Sequence, residues 1–419
     1  MQVLVAWASV AEVVEPGVIE ISAVQRWPWE EAVDIDYTLV AETNCDIRFA
    51  FDWRKSSGPV TITNAFADAT VYGVPPGKNH FTWIPSEHGF GGKTLGGFMV
   101  TATEVVPVSE RTYIVLDLSS GDYTCAAEPP EETWTNSVYK TTKMVFRRCP
   151  AGTYSVGHTE AEIQLVKGSA PSAQEKSSVA RREVKLSSDW YIAIFPLTYY
   201  QVKMFSSLPS NTQLKTFKCT FDNCRGQTNS DDSVSINWPI SGLGRFGTGT
   251  LLASLRERTG GKLMIDLPTE TQWEVAMRAG TTTILPNGGT SSSTQADLRE
   301  LWLDLSIASN EEEVGLRQPN AWGIYNSVGM AYYWCLDAFP FYNTSNGWED
   351  NKTVGQSGTD PYGQTIAAGD PMVRICRGTG WAAGVGSVGT LVGHRRASIT
   401  SSPNTCGVRL AIHLSDPRK

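Results

Sequence analysis

The sequence predicts an all-β sandwich of immunoglobulin-like type followed by a loop-rich α+β domain. Three observations carry that reading. Short apolar runs with period-two alternation recur through the first 125 residues. An acidic, proline-bearing stretch, Glu128-Pro129-Pro130-Glu131-Glu132, then interrupts the chain. Beyond it, a few short helical patterns are separated by long connections. At 419 residues the chain is too long for one ordinary domain and suits two. We expect a β-sandwich over 12–125, a linker over 126–142 and the α+β domain over 143–414.

In the first half, Val33–Val40 alternates apolar and polar side chains, as a half-buried strand does. Asp46–Trp53, Val60–Asn64, Thr70–Val74, Phe81–Ile84 and Gly97–Thr103 are further short β runs, and Pro75-Pro76-Gly77 predicts a turn between two of them. Thr112–Leu118 is one more strand, placed before the linker. His88–Thr94 ends like a phosphate-binding loop, but Glu87 stands where the motif requires glycine. A glycine-rich hairpin loop is the expectation there.

The second half offers three helices. Thr198 and Gln201 form a capping box for a helix over 198–206. Thr250–Arg258 turns Leu251, Leu252 and Leu255 inward and stops at Gly260 and Gly261. Leu267–Gly280 has both helix ends written in. Thr269 is the N-cap, Gln272 completes its box, and Pro268 keeps the preceding residue extended. Trp273, Ala276 and Met277 share one face, and Gly280 is placed to end the helix in the left-handed conformation.

Composition narrows the function. A hydrophobic content of 41% with 14 tryptophans is that of a globular protein with large cores. A net charge of −8 disfavours nucleic acid as a partner. The basic stretch Lys176–Lys185 is broken by serines and a glutamate and reads as a solvated loop. No apolar run approaches the ~20 residues of a membrane span. Val3–Val10 is short and apolar, and Ser9-Val10-Ala11 suits a signal-peptidase site, yet no Lys or Arg precedes it. A degenerate leader and an ordinary first strand both fit. The 8 cysteines do not make a disulfide scaffold in a chain this long, and Cys219-x4-Cys224 lacks the two further ligands of a zinc site.

Five ordered motifs within 143–414 point further: Met144–Gly157, Trp190–Val202, Leu267–Gly280, Asn320–Asp337, and a close formed by Arg377-Gly378-Thr379-Gly380-Trp381 with Gly407-Val408-Arg409-Leu410-Ala411. Together they resemble the formylglycine-generating, sulfatase-modifying family, whose domain is a variant of the C-type lectin fold. That resemblance implies an oxidase in which two cysteines just after the Arg-Gly-Gly-Ser-Trp motif bind copper(I), a metal suited to soft thiolates. Here the segment after Trp381 reads Ala-Ala-Gly-Val-Gly-Ser-Val-Gly-Thr-Leu-Val and holds no cysteine. Cys376 precedes the motif and Cys406 lies near the last strand. No catalytic residue is therefore carried over.

Other metal chemistry is weakly written. Related iron enzymes use histidine clusters, but His80, His88, His158, His394 and His413 show no ligand spacing. The family's structural calcium would use an Asn and a Glu that match Met330 and Tyr333, neither of which offers a hard oxygen. Only backbone carbonyls and Asp337 remain for it. We expect no cofactor.

Residues 382–405 resemble, in addition, the hypervariable segment of variable proteins made by diversity-generating retroelements, which display ligand-binding surfaces on this fold. Substitution at asparagine codons in such proteins excludes Lys, Glu, Gln, Met and Trp, and none of these occurs from Ala382 to Cys406. The resemblance implies a ligand surface around Trp381, Ala382, Ala383, Gly384, Ser387, His394, Arg396, Thr400, Ser402 and Asn404. A glycine-rich loop with no specific partner, and a core role for Trp381, are the alternatives. The expectation is a non-catalytic binding protein, secreted or at the cell surface, facing a protein or surface ligand. A divergent sulfatase-modifying oxidoreductase and a structural envelope protein are the competing classes.

Overall fold

The structure is a computed structural model. It describes residues 15–26, 30, 32–53, 70–88, 98–133, 135–172, 176, 180–205, 251–284, 314–315, 318–327, 332–338, 358–362, 373–378, 391–393, 395–399 and 406–415. The chain divides into two compact units, 1–111 and 112–419.

The first unit contains β1 (Gly17–Gln25), β2 (Val33–Val40), β3 (Cys45–Trp53), β4 (Thr70–Val74), β5 (Gly77–Trp83) and β6 (Phe98–Pro107). They form two antiparallel three-stranded sheets, ordered β1-β2-β5 and β4-β3-β6. The alternation in β2 buries Val33, Ile35, Tyr37 and Leu39, and β3 buries Cys45, Ile47, Phe49 and Phe51. These faces share one core, in which Tyr37 meets Phe49 edge-on at 4.9 Å and Phe51 stacks on Trp83 at 4.7 Å. The Pro75-Pro76-Gly77 turn joins β4 to β5, strands of different sheets, so it passes the chain between layers instead of closing a hairpin. Gly77 takes φ +102° there, which a side chain would resist. The expected strand at 60–64 and most of the 88–94 loop lie outside the described residues; Pro85–His88 is a short 3-10 turn.

The second unit begins earlier than the sequence suggests. Tyr113–Asp117 (β7) pairs with Tyr123–Ala126 (β8) and, across the acidic stretch, with Lys143–Cys149 (β9). Ile114 and Leu116 sit in one core with Met144 and Phe146. The first compact unit therefore ends at Arg111, and the 128–132 stretch is a connection inside the second. A strand's local pattern does not say which strand will pair with it, and here the partner lies beyond the prolines.

The remaining strands are β10 (Gly152–Val156), β11 (Arg182–Leu186), β12 (Trp190–Ala193), β13 (Ile265–Asp266), β14 (Tyr332–Ala338), β15 (Gly358–Thr359), β16 (Val373–Gly378), β17 (Arg395–Ile399), β18 (Cys406–Gly407) and β19 (Ala411–His413). The helices are α1 (Glu160–Lys167), α2 (Tyr199–Phe205), α3 (Leu251–Arg258) and α4 (Glu270–Arg278). One six-stranded sheet runs β13-β19-β12-β9-β7-β8, a four-stranded sheet runs β17-β16-β14-β18, and a small sheet runs β10-β11-β15. The large sheet is covered on both faces. Val145 and Ile192 point into one apolar cluster, and Met144, Phe146, Tyr191 and Ala193 into the other. The basic stretch expected as loop contributes β11, because Val184 and Leu186 are buried between its charged neighbours.

The capping boxes form. Thr269 N–H donates to Gln272 Oε1 at 2.9 Å and Gln272 N–H to Thr269 Oγ1 at 3.1 Å. Thr198 and Gln201 repeat the pattern at 3.0 and 3.2 Å. Two details of α4 go beyond expectation. Its C-cap, Ala279, is already left-handed at φ 48°, one residue ahead of Gly280 at φ 84°. All nine residues of the helix are buried, its charged side included. A helix polar on one face normally turns that face to water. Here the two carboxylates meet Arg377 of β16, and Arg278 meets Glu274 and the Gly157 carbonyl.

Candidate functional site

That charged side of α4 meets the last described residues before His394, Leu391–Gly393, through Arg377 and His158. Glu274 is its centre. Its Oε1 accepts from Gly157 N–H at 2.7 Å and from Arg278 Nε at 2.8 Å, one helical turn on. Its Oε2 lies 3.0 Å from Arg377 Nη2, which also sits 3.2 Å from Glu270 Oε2. Arg278 Nη2 donates to Gly157 O at 2.7 Å. The Glu274 and Arg377 side chains expose no surface. Burial opposes the charge on Glu274, but Arg377 and Arg278 outweigh it and hold the carboxyl far below the usual range. Burial likewise works against the Arg377 charge, and Glu274 and Glu270 raise its pKa above the ordinary value.

The same guanidinium holds the end of the candidate segment. Arg377 Nη1 donates to Gly393 O at 2.7 Å, and Gly393 N–H donates to His158 Nε2 at 3.0 Å. A Cβ at Gly393 would stand 2.7 Å from His158 Cδ2 and 3.3 Å from Glu274 Oε1, so backbone approaches the ionic cluster as closely as only glycine permits. Leu391 and Val392 are buried beside it, Leu391 against Ile163 of α1 and Ile284. Strand β16 ends at Gly378, and β17 begins at Arg395, which pairs with Arg377. The 379–394 connection thus leaves and rejoins the four-stranded sheet at one end. The 400–405 connection joins β17 to β18, the two edge strands of that sheet.

Of the predicted ligand residues, Trp381, Ala382, Ala383, Gly384, Ser387, His394, Thr400, Ser402 and Asn404 lie outside the described residues. Arg396 is placed in β17 opposite Cys376, by its backbone alone. The 379–394 connection begins and ends at the Gly378 end of the small sheet, whereas the 400–405 connection begins at the other end, after Ile399 opposite Val373, and returns to Cys406 beside Tyr332.

The residues weighed for calcium are otherwise engaged. Asp337 is buried and its Oδ2 accepts from Glu270 N–H at 2.7 Å, where a carboxylate also complements the N-terminal dipole of α4. Tyr333 donates its hydroxyl proton to Asn326 O at 2.9 Å, and its ring lies 5.1 Å from the Arg409 guanidinium. Met330 lies outside the described residues. Among the described residues no group of three or more His, Cys, Asp or Glu side chains could hold a metal ion.

Sequence reasoning missed the roles of His158, Glu274, Arg278 and Gly393. Arg409, noted only as part of a motif, is a fully buried clamp. Its Nη1 reaches Ala193 O and Ile194 O at 2.8 and 3.0 Å, and its Nη2 reaches Tyr325 O and Asn326 O at 2.6 and 3.0 Å. The spacing of Glu270, Glu274 and Arg278 was visible, but that signature also describes a solvated helix face.

A loop-rich α+β domain, with a capped, buried helix at its centre and a terminal Arg-Gly…Trp and Gly-Val-Arg-Leu pair, defines a sulfatase-modifying class of domain. The family model for the sulfatase-modifying factor enzyme 1-like domain matches residues 131–414, and the chain belongs to that family. A comparison with curated proteins finds no match.

Proposed function

We propose that this chain is a non-catalytic ligand-binding protein that displays its contact surface on the 381–389 segment, His394, Arg396 and the 400–404 connection. The observation that supports it most is the fastening of Gly393 by Arg377 and His158 at the base of that surface. A buried, hydrogen-bonded anchor at Gly393 lets the attached segment vary without disturbing the core, which is what a display scaffold requires. The sequence between Trp381 and Gly393 adds small residues and no thiol. On this reading the second unit takes the C-type-lectin-like fold, and the first is an immunoglobulin-like interaction or spacer module. The protein acts outside the cell or on its surface, and among the described residues no helix is long and apolar enough to cross a membrane. Its partner is a protein or another surface ligand.

Two experiments test this. Sequencing the locus from many clones distinguishes diversification from drift: substitutions gathered at adenine positions within 382–405 support a variable protein, and an even spread removes that support. A pull-down compares the native chain with Arg396→Ala and with 382–389 replaced by a Gly-Ser segment. Loss of the same partner in both variants is expected; retention in both favours a structural envelope role. The second reading, a divergent oxidoreductase, is favoured by family membership alone.

A further inference from the structure

His158 is almost fully buried and sits between three elements. Its Nε2 meets two donors, Gly393 N–H at 3.0 Å and Arg278 Nη2 at 3.1 Å. A guanidinium cannot accept, so Nε2 carries the lone pair and the ring proton lies on Nδ1. Nδ1 is 3.6 Å from Glu162 Oε2. The charged groups around the ring are Glu162 from α1, Glu274 and Arg278 from α4, Arg377 from β16 through Gly393, and Arg181, whose N–H donates to His158 O and whose guanidinium pairs with Glu162 at 2.7 Å.

We propose that His158 is an acid-operated latch on the Leu391–Gly393 segment, because a proton taken from solvent at Nε2 removes the acceptor of the Gly393 amide and faces the Arg278 guanidinium. The ring then has a donor where two donors already point. The cheapest relief is outward movement of Gly393, since Arg278 is held by Glu274 and by Gly157 O. The surrounding carboxylates do not titrate in the same range. Burial opposes charge on Glu162, but the nearby His158 ring, Thr159 N–H and Arg181 bring its carboxyl to about 2. Burial also favours the neutral ring, pulling its pKa below the ordinary histidine value against the influence of Glu162. The latch bears on ligand binding only through the display reading above, since Gly393 closes the base of that surface.

The test needs no ligand. Hydrogen exchange at the Gly393 amide of the full chain, corrected for the intrinsic pH dependence, is followed from pH 7.5 to 4.5. Protection is expected to fall by up to about tenfold per pH unit as pH drops below about 6.5, the value of an unlatched ring. His158→Gln keeps an acceptor oxygen and cannot titrate, so its Gly393 protection is expected to stay level. Protection that holds to pH 4.5 in the native chain, or that falls alike in H158Q, overturns the latch. Should H158Q not fold, the native chain decides: the His158 ring and Gly393 amide resonances must share one titration midpoint, and separate midpoints overturn the proposal. Ligand binding lost with an intact latch would count against the display reading alone.

Discussion

Arg377 and Glu274 form an ion pair, 3.0 Å between Nη2 and Oε2, in which neither side chain reaches solvent. Such a pair costs solvation on both sides, which its mutual attraction and the hydrogen bonds around it offset. Here the other Glu274 oxygen takes two donors and Arg377 Nη1 donates to Gly393 O, while Arg377 Nε is buried without a hydrogen-bond partner among the described residues. The pair therefore ties α4, β16 and the 391–393 segment into one unit.

Removing one partner leaves a buried charge. Arg377→Leu is expected to destabilise the chain by roughly 3–5 kcal/mol, and the double variant Arg377→Leu with Glu274→Leu by less than the two single losses together. Denaturant unfolding of the four proteins gives the coupling. Additive losses would mean that the two side chains act separately.

Gly393 is tested by volume alone. Gly393→Ala puts a methyl 2.7 Å from the His158 ring and against Glu274, so something must move. A loss of about 1–3 kcal/mol is expected from overpacking. Thermal unfolding checks it, and Gly260→Ala serves as a control for glycine replacement in which an added Cβ meets nothing, although its φ of +62° adds backbone strain.

The pH dependence has a definite sign. His158 titrates below its unfolded value because burial disfavours the charged ring. As pH falls past the unfolded histidine value of about 6.5, the unfolded chain takes up a proton that the folded chain refuses. This contribution is complete above that pH and is lost down to the folded pKa, with a slope of at most about 1.4 kcal/mol per pH unit. His158→Gln is expected to flatten the curve between pH 6.5 and the folded pKa. Glu274 acts lower: its depressed pKa gives stability that is present above the usual glutamate range and is lost below it.

The unit boundary predicts how the chain can be cut. A fragment 112–419 keeps β7 against β9, whereas one beginning at 127 loses β7 and β8 and uncovers Met144 and Phe146. The first is expected to unfold cooperatively and the second to lack a sharp transition. Circular dichroism melts of both fragments decide it.

Much of this architecture could be read from residue order. Thr269 and Gln272, Thr198 and Gln201, and the alternation of Val33–Val40 act within a few residues of themselves, and each took its expected place. The failures share one cause. Tyr113–Asp117 pairs with a strand beyond the acidic stretch, the charged side of α4 is buried, and the basic stretch supplies β11. In each case the outcome depends on a partner distant in sequence: β9, Arg377, and β10 with β15. His158 and Gly393 lie 235 residues apart and are joined by one hydrogen bond, a relationship no local pattern encodes. The ligand residues themselves, Trp381 through Asn404, rest on resemblance and on the anchor at Gly393.

Copper(I) titration of the reduced chain, coupled to oxygen consumption with a cysteine-containing peptide, tests binding against oxidation most directly. The account predicts no stoichiometric copper(I) site and no oxygen uptake above the free-metal background. One tightly held copper per chain with turnover would contradict it.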